Sequence, residues 1–163
     1  MKSVDINFVL NGRPCSATVS PRLLLSDFLR HQMGLPGTHV GCEHGVCGSC
    51  TTMLEGRTAR SCLTFAAQVD GCEVQTVESL GTATAMHPIQ QAFHEEHGLQ
   101  CGFCTSGMLM VAKELLERNA SPTEEEVREA ISGNLCRCTG YQNIIAAVMS
   151  AAAKLRAAKE TAS

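Results

Sequence analysis

Val40-Gly41-Cys42-Glu43-His44-Gly45-Val46-Cys47-Gly48-Ser49-Cys50 is the stretch from which the rest of this chain is read. Cys42, Cys47 and Cys50 stand as C-x4-C-x2-C, and Cys62 follows after eleven further residues. That is the plant-type spacing of four thiolates around a 2Fe-2S cluster. Gathering four sulfurs on one inorganic core needs backbone that curls tightly and turns N–H groups toward sulfur, and Gly41, Gly45 and Gly48 permit it. The stretch reads as a cradle with Cys42, Cys47, Cys50 and Cys62 as its ligands.

A cradle needs a scaffold, and the flanking sequence supplies one. Val4 to Leu10 alternates weakly, Asn11-Gly12 is a favoured two-residue turn, and Cys15 to Val19 resumes the alternation, which together predict a hairpin. Ser20 then reads as a helix N-cap with Pro21 at the first helical position, and Leu24, Leu25, Phe28 and Leu29 repeat at helical spacing up to Gly34. Beyond the cysteines, Thr51 to Leu54, a Glu55-Gly56 turn and Arg57 to Cys62 predict a second hairpin, with a later strand near Glu73 to Val77. The expectation over residues 1–79 is an α+β, ferredoxin-like β-grasp domain.

From about Leu80 the pattern is helical, and Gly81 to Thr84 forms a small-residue connector, so the boundary falls there. Residues 80–163 predict a four-helix bundle. Its helices run from Pro88 to Glu96, from Thr105 through Leu116, from a capping box at Ser121-Pro122-Thr123-Glu124 through Ile131, and from Gln142 into an alanine-rich end that frays near Lys159.

The 163 residues carry a formal charge of −3 without a basic run, which gives no electrostatic case for nucleic acid. No apolar run approaches the roughly 18 residues of a membrane span, and Met1 to Asp5 lacks a signal-peptide core, so the expected location is the cytoplasm. Eight of the ten cysteines fall into two tight groups, a distribution that favours metal or cluster ligation over a disulfide framework. Cys15 and Cys72 stand outside the groups and read as small apolar side chains.

The second group is Cys101-Gly102-Phe103-Cys104 at one predicted helix start and Cys136-Arg137-Cys138 just before another. Helix starts present unpaired N–H groups and the positive end of the dipole, both of which stabilise thiolates. C-x2-C with C-x-C suits an iron-sulfur core, and it suits tetrahedral zinc equally well. A neighbouring plant-type loop tilts the choice toward a second redox cluster.

G-C-E-H-G-V-C-G-S-C-T, L-Q-C-G-F-C-T-S-G-M and G-N-L-C-R-C-T-G-Y resemble, in order and spacing, the iron-sulfur subunit of the xanthine oxidase family of molybdenum hydroxylases. The likeness covers nearly the whole chain and extends to the separate small subunits of bacterial carbon monoxide, quinoline and nicotine dehydrogenases. It implies an electron-transfer subunit with two 2Fe-2S clusters. It also implies a large partner subunit holding molybdopterin, often as the cytosine dinucleotide, and a medium subunit holding FAD, in a dimer of heterotrimers. By the same resemblance the cluster on Cys42, Cys47, Cys50 and Cys62 lies nearer the flavin. The cluster on Cys101, Cys104, Cys136 and Cys138 lies nearer molybdenum, with Gln100 and Cys138 as candidate pterin contacts. Many relatives have proline where this chain has Ser106, which predicts a looser entry to that helix.

Blander readings cover the remaining motifs. His94-Glu95-Glu96-His97 has its histidines three apart, where the zinc-protease motif needs four, and reads as a solvated helix end. His39 and His44 flank the first ligand and read as exposed loop residues, Asn119-Ala120-Ser121 as an unused glycosylation sequon, and Met108 and Met110 as core. No G-x-G-x-x-G or P-loop offers a site for FAD or a nucleotide. Two other functions compete. A freely diffusing ferredoxin would need only the first domain, and a non-redox zinc-binding interaction module would be colourless.

Overall fold

The computed structural model describes residues 2–161; Met1, Ala162 and Ser163, at the ends of the two expected domains, lie outside the described residues. β1 (Val4–Leu10) and β2 (Arg13–Val19) form the first hairpin in the register Val4 opposite Val19 and Leu10 opposite Arg13. Asn11 and Gly12 carry positive φ, 51° and 76°, the pair that a two-residue type I′ turn requires. β3 (Thr51–Leu54) and β4 (Arg57–Arg60) repeat the device with Glu55 and Gly56. β5 (Glu73–Gln75) is inserted between the hairpins, parallel to β1 and antiparallel to β3, giving the order β2-β1-β5-β3-β4.

The covering helix differs from the sequence expectation. Ser20 does not cap it and Pro21 does not open it: α1 spans Leu25–Asp27 and continues as a π-helical turn over Phe28–Gln32. The reason is competition for backbone. The Leu23 carbonyl accepts from Ala66 N–H at 2.8 Å and Leu25 N–H donates to the Thr64 carbonyl at 2.7 Å, so Leu23 to Leu25 pair sideways with residues 64–66 before the chain can coil. Leu25, Phe28 and Leu29 then bury themselves on Ile6, Phe8, Val19, Val69 and Val74, with the rings of Phe8 and Phe28 edge to face at 5.7 Å. Cys15 and Cys72 pack at the margin of this core, as expected for small apolar side chains.

The second half is the four-helix bundle: α2 (Pro88–Glu95), α3 (Thr105–Arg118), α4 (Glu124–Ile131) and α5 (Gln142–Thr161). Ile89, Phe93, Met108, Met110, Val127, Ile144 and Val148 fill its core, and Ala147 and Ala151 let α5 lie close to α2. α4 opens one cap later than the sequence suggested. Thr123 takes the position expected of Ser121, its hydroxyl accepting from Glu126 N–H at 3.2 Å while the Glu126 carboxylate accepts from Thr123 N–H at 2.7 Å. α5 remains helical through Thr161, past the fraying expected at Lys159. Among the described residues no helix is long and apolar enough to cross a membrane.

The halves meet along β3, β4 and α3, and the contact is tight. A Cβ on Gly107 would stand 2.3 Å from the Gly48 carbonyl oxygen, and one on Gly48 would stand 2.4 Å from Asn134 Oδ1. Two glycines, Gly48 in the cysteine loop and Gly107 in α3, allow backbone to touch backbone there, with the buried Asn134 side chain packed against both.

Candidate metal centres

The first cysteine loop curls through Glu43, Gly45 and Gly48, all at positive φ, so that its sulfurs and N–H groups face inward. Cys47 N–H donates to Cys42 Sγ at 3.4 Å. The Cys47 N–H, with the backbone around His44, lowers the Cys42 thiol to about 6. Cys50 and Cys62 are buried side by side; burial, reinforced by Cys50, pushes the Cys62 thiol up to about 11. The Ser61 hydroxyl fixes the neighbouring backbone by donating to the Cys50 carbonyl at 2.7 Å.

The second group is assembled from two distant loops. Cys104 is the residue from which α3 starts, its carbonyl accepting from Met108 N–H at 3.0 Å, and burial together with Cys136 drives its thiol up to about 12. Cys101 and Cys138 are exposed with their sulfurs 3.5 Å apart; the Phe103 N–H, then Cys138, lowers Cys101, while Cys101 raises Cys138. Burial works against the Cys136 thiolate. The Thr139 hydroxyl, 3.1 Å from its sulfur, and the backbone around Thr139 and Cys138 outweigh it, and the thiol is lowered. Tyr141 braces this loop, its hydroxyl accepting from Cys136 N–H at 2.9 Å.

All ten cysteines are free thiols. Each group therefore holds thiols lowered by aimed N–H groups next to thiols raised by burial and by one another. Such a set ionises together only around a cationic core, so the donor chemistry at both places fits an iron-sulfur cluster. Among the described residues, no three His, Cys, Asp or Glu side chains close on a position for a single metal ion.

The histidines divide. His44 folds back onto its own loop and donates from Nδ1 to the Cys42 carbonyl. His39 is not the exposed loop residue expected: it is half-buried, stacked on Phe103 at 5.0 Å and 13°, with Nδ1–H donating to the Phe103 carbonyl at 2.8 Å. It thus ties the approach to Cys42 to the residue between Cys101 and Cys104. Ser106 is packed rather than loose, its hydroxyl 3.5 Å from the Ser49 carbonyl and 3.4 Å from His39 Nδ1. Gln100 lies at the surface beside the exposed Cys101. Arg60, Asn134 and Leu135, which also join the two loops, carry no pattern in the sequence; their partners are 73 and 86 residues away for Arg60–Gly133 and Asn134–Gly48.

Comparison with known proteins agrees with the geometry. Residues 8–80 match the family of 2Fe-2S iron-sulfur cluster binding domains, and residues 76–149 match a second family, the 2Fe-2S binding domain. The chain is 56% identical to the nicotine 6-hydroxylase small subunit of Paenarthrobacter nicotinovorans over 91% of its own length and 89% of that protein. It is 51% identical to the caffeine dehydrogenase subunit gamma of Pseudomonas sp. (strain CBB1), covering 98% and 97%. Its fold superposes on a chain of quinoline 2-oxidoreductase from Pseudomonas putida 86 with a TM-score of 0.92 at 47% identity, covering 96% and 98%. The chain belongs to the small 2Fe-2S, electron-transfer subunits of the xanthine oxidase family of molybdenum hydroxylases.

Proposed function

We propose that this chain relays electrons between two catalytic subunits, from molybdopterin on a large partner to FAD on a medium partner. Cys42, Cys47, Cys50 and Cys62 hold one 2Fe-2S cluster, and Cys101, Cys104, Cys136 and Cys138 hold the other. When bound, such clusters supply one-electron centres whose potentials follow charge, hydrogen bonding and exposure. The chain's own residues set those three quantities. Cys50, Cys62 and Cys104 lie out of water, while N–H groups are aimed at Cys42 and Cys101.

One observation carries the relay: the two thiol sites are joined directly, since Leu135 N–H, next to Cys136, donates to the carbonyl of the ligand Cys47 at 2.8 Å. The sites also face outward at both ends. Val46, Leu63, Phe103 and Leu135, each adjacent to a candidate ligand, are large apolar side chains 46–60% exposed, an arrangement suited to partner subunits that cover them. Gln100 and Cys138, both beside the exposed Cys101, would meet the pterin.

We place the domain boundary between residues 79 and 80, the complex in the cytoplasm as a dimer of heterotrimers, and the pterin as its cytosine dinucleotide. Replacing Cys104 with alanine tests the relay. The expected result is loss of turnover to a flavin-side acceptor with the first cluster's EPR signal retained; full turnover would contradict it.

A further inference from the structure

Arg60 ends β4, two residues before Cys62, and its guanidinium reaches three separate segments. Nη1 donates to Thr51 Oγ1 at 2.5 Å, Nη2 to the Gly133 carbonyl at 2.7 Å and Nε to the Gly45 carbonyl at 3.4 Å. Gly45 lies inside the first cysteine loop, Thr51 directly follows Cys50, and Gly133 stands in the turn that leads to Cys136. The Thr51 hydroxyl in turn donates to the Gly48 carbonyl at 2.6 Å, and Asn134 Nδ2 donates to the same oxygen at 3.2 Å from the other half of the chain. A guanidinium is permanently charged and presents its donors in a rigid plane, so one side chain can serve as both a cation and a three-way tie.

We propose that Arg60 is a positioning residue of the electron relay, fixing the first cysteine loop against the turn that leads to Cys136 and placing a constant positive charge on the backbone of that loop. The inference rests on the two-cluster reading above. Its two consequences are separable. A fixed cation favours the more negative, reduced form of the site it adjoins, so its charge raises the potential there. Its fork sets the spacing and orientation of the two sites, because no other side chain bonds Gly45, Thr51 and Gly133 together among the described residues.

The test is a redox titration of the intact, cluster-loaded chain followed by EPR, with iron and sulfide content measured alongside and the spin–spin splitting between the two reduced clusters as the readout of spacing. Arg60→Gln removes the charge and should lower the first cluster's midpoint, leave the second unchanged and weaken the splitting. Arg60→Lys keeps the charge without the fork and should restore the midpoint but not the splitting. Gly133→Ala approaches from the other half: its Cβ would stand 2.7 Å from Arg60 Nη2 and meet no other residue as closely, so it should weaken the splitting with both clusters in place. If Arg60→Gln fails to hold its clusters, Arg60→Lys and Gly133→Ala still decide. Unaltered midpoints and splitting in cluster-loaded variants, even with a lowered melting temperature, would overturn the inference while leaving the two-cluster reading intact. Absence of clusters from the unaltered protein would instead sink that reading, and the inference with it.

Discussion

The N–H of Leu135 donates to the carbonyl of Cys47 at 2.8 Å, so the backbone of the first cysteine loop is bonded to the residue preceding Cys136. Around this bond lie Gly48, Gly107 and Asn134, packed without room for one more carbon. The seam between the halves therefore has almost no tolerance, and substitutions there separate steric from conformational costs.

Gly107→Ala is the steric case. Its Cβ would stand 2.3 Å from the Gly48 carbonyl oxygen, a backbone atom that cannot swing away. The expected cost is about 1–3 kcal/mol, the usual penalty for overpacking. Gly71→Ala is the conformational control, with φ at +76° and open space around it, and should cost about 1–2 kcal/mol from left-handed strain alone. Denaturant unfolding measures both, and only Gly107→Ala should loosen the contact between halves, seen as faster hydrogen exchange at Leu135.

Helix α2 carries a pH dependence. His87 caps it, Nδ1 accepting from Ile89 N–H at 3.2 Å, which requires an unprotonated nitrogen. Burial lowers its pKa from the ordinary 6.5, assisted by Lys113 and opposed by Glu117, and Lys159 lines the same shallow cavity. Because the folded value is the lower one, this stabilisation is full above pH 6.5 and is lost as pH falls from there toward the folded value. His87→Asn keeps a cap and cannot titrate, so its melting temperature should flatten across that window while the unaltered chain declines.

At α4, Thr123→Ala should cost about 1 kcal/mol in unfolding free energy, the usual worth of an N-cap. Hydrogen bonds from the Thr123 backbone and then its hydroxyl hold Glu126 below the ordinary carboxylate value of 4.5. Its contribution is present above that value and disappears as pH falls through the lower folded value. The variant keeps the Thr123 N–H and should lose only the hydroxyl's share of this acid sensitivity, measurable as a modestly smaller fall in melting temperature between neutral and acidic pH.

Much of the fold was legible because its signals are local. Asn11-Gly12 and Glu55-Gly56 announce their hairpins through turn chemistry, and Met108, Val111, Ile144 and Val148 announce helices through periodicity. Local preference is overridden where distant backbone competes with it: Ser20-Pro21 has the composition of a helix start, but pairing of Leu23 and Leu25 with residues 64–66 postpones the helix to Leu25. The cysteine ligands stand out because thiols at fixed spacing are rare. Arg60, Asn134 and His39 do not, since an arginine, an asparagine and a histidine are ordinary surface residues until the fold brings their partners to them.

The central claim is that this chain carries two clusters, and the most direct measurement is iron and acid-labile sulfide per chain, with EPR of the reduced protein. The account predicts about four irons and four sulfides, as two 2Fe-2S centres require, and two distinguishable signals. A colourless zinc-containing protein, or one with a single cluster and half that content, would contradict it.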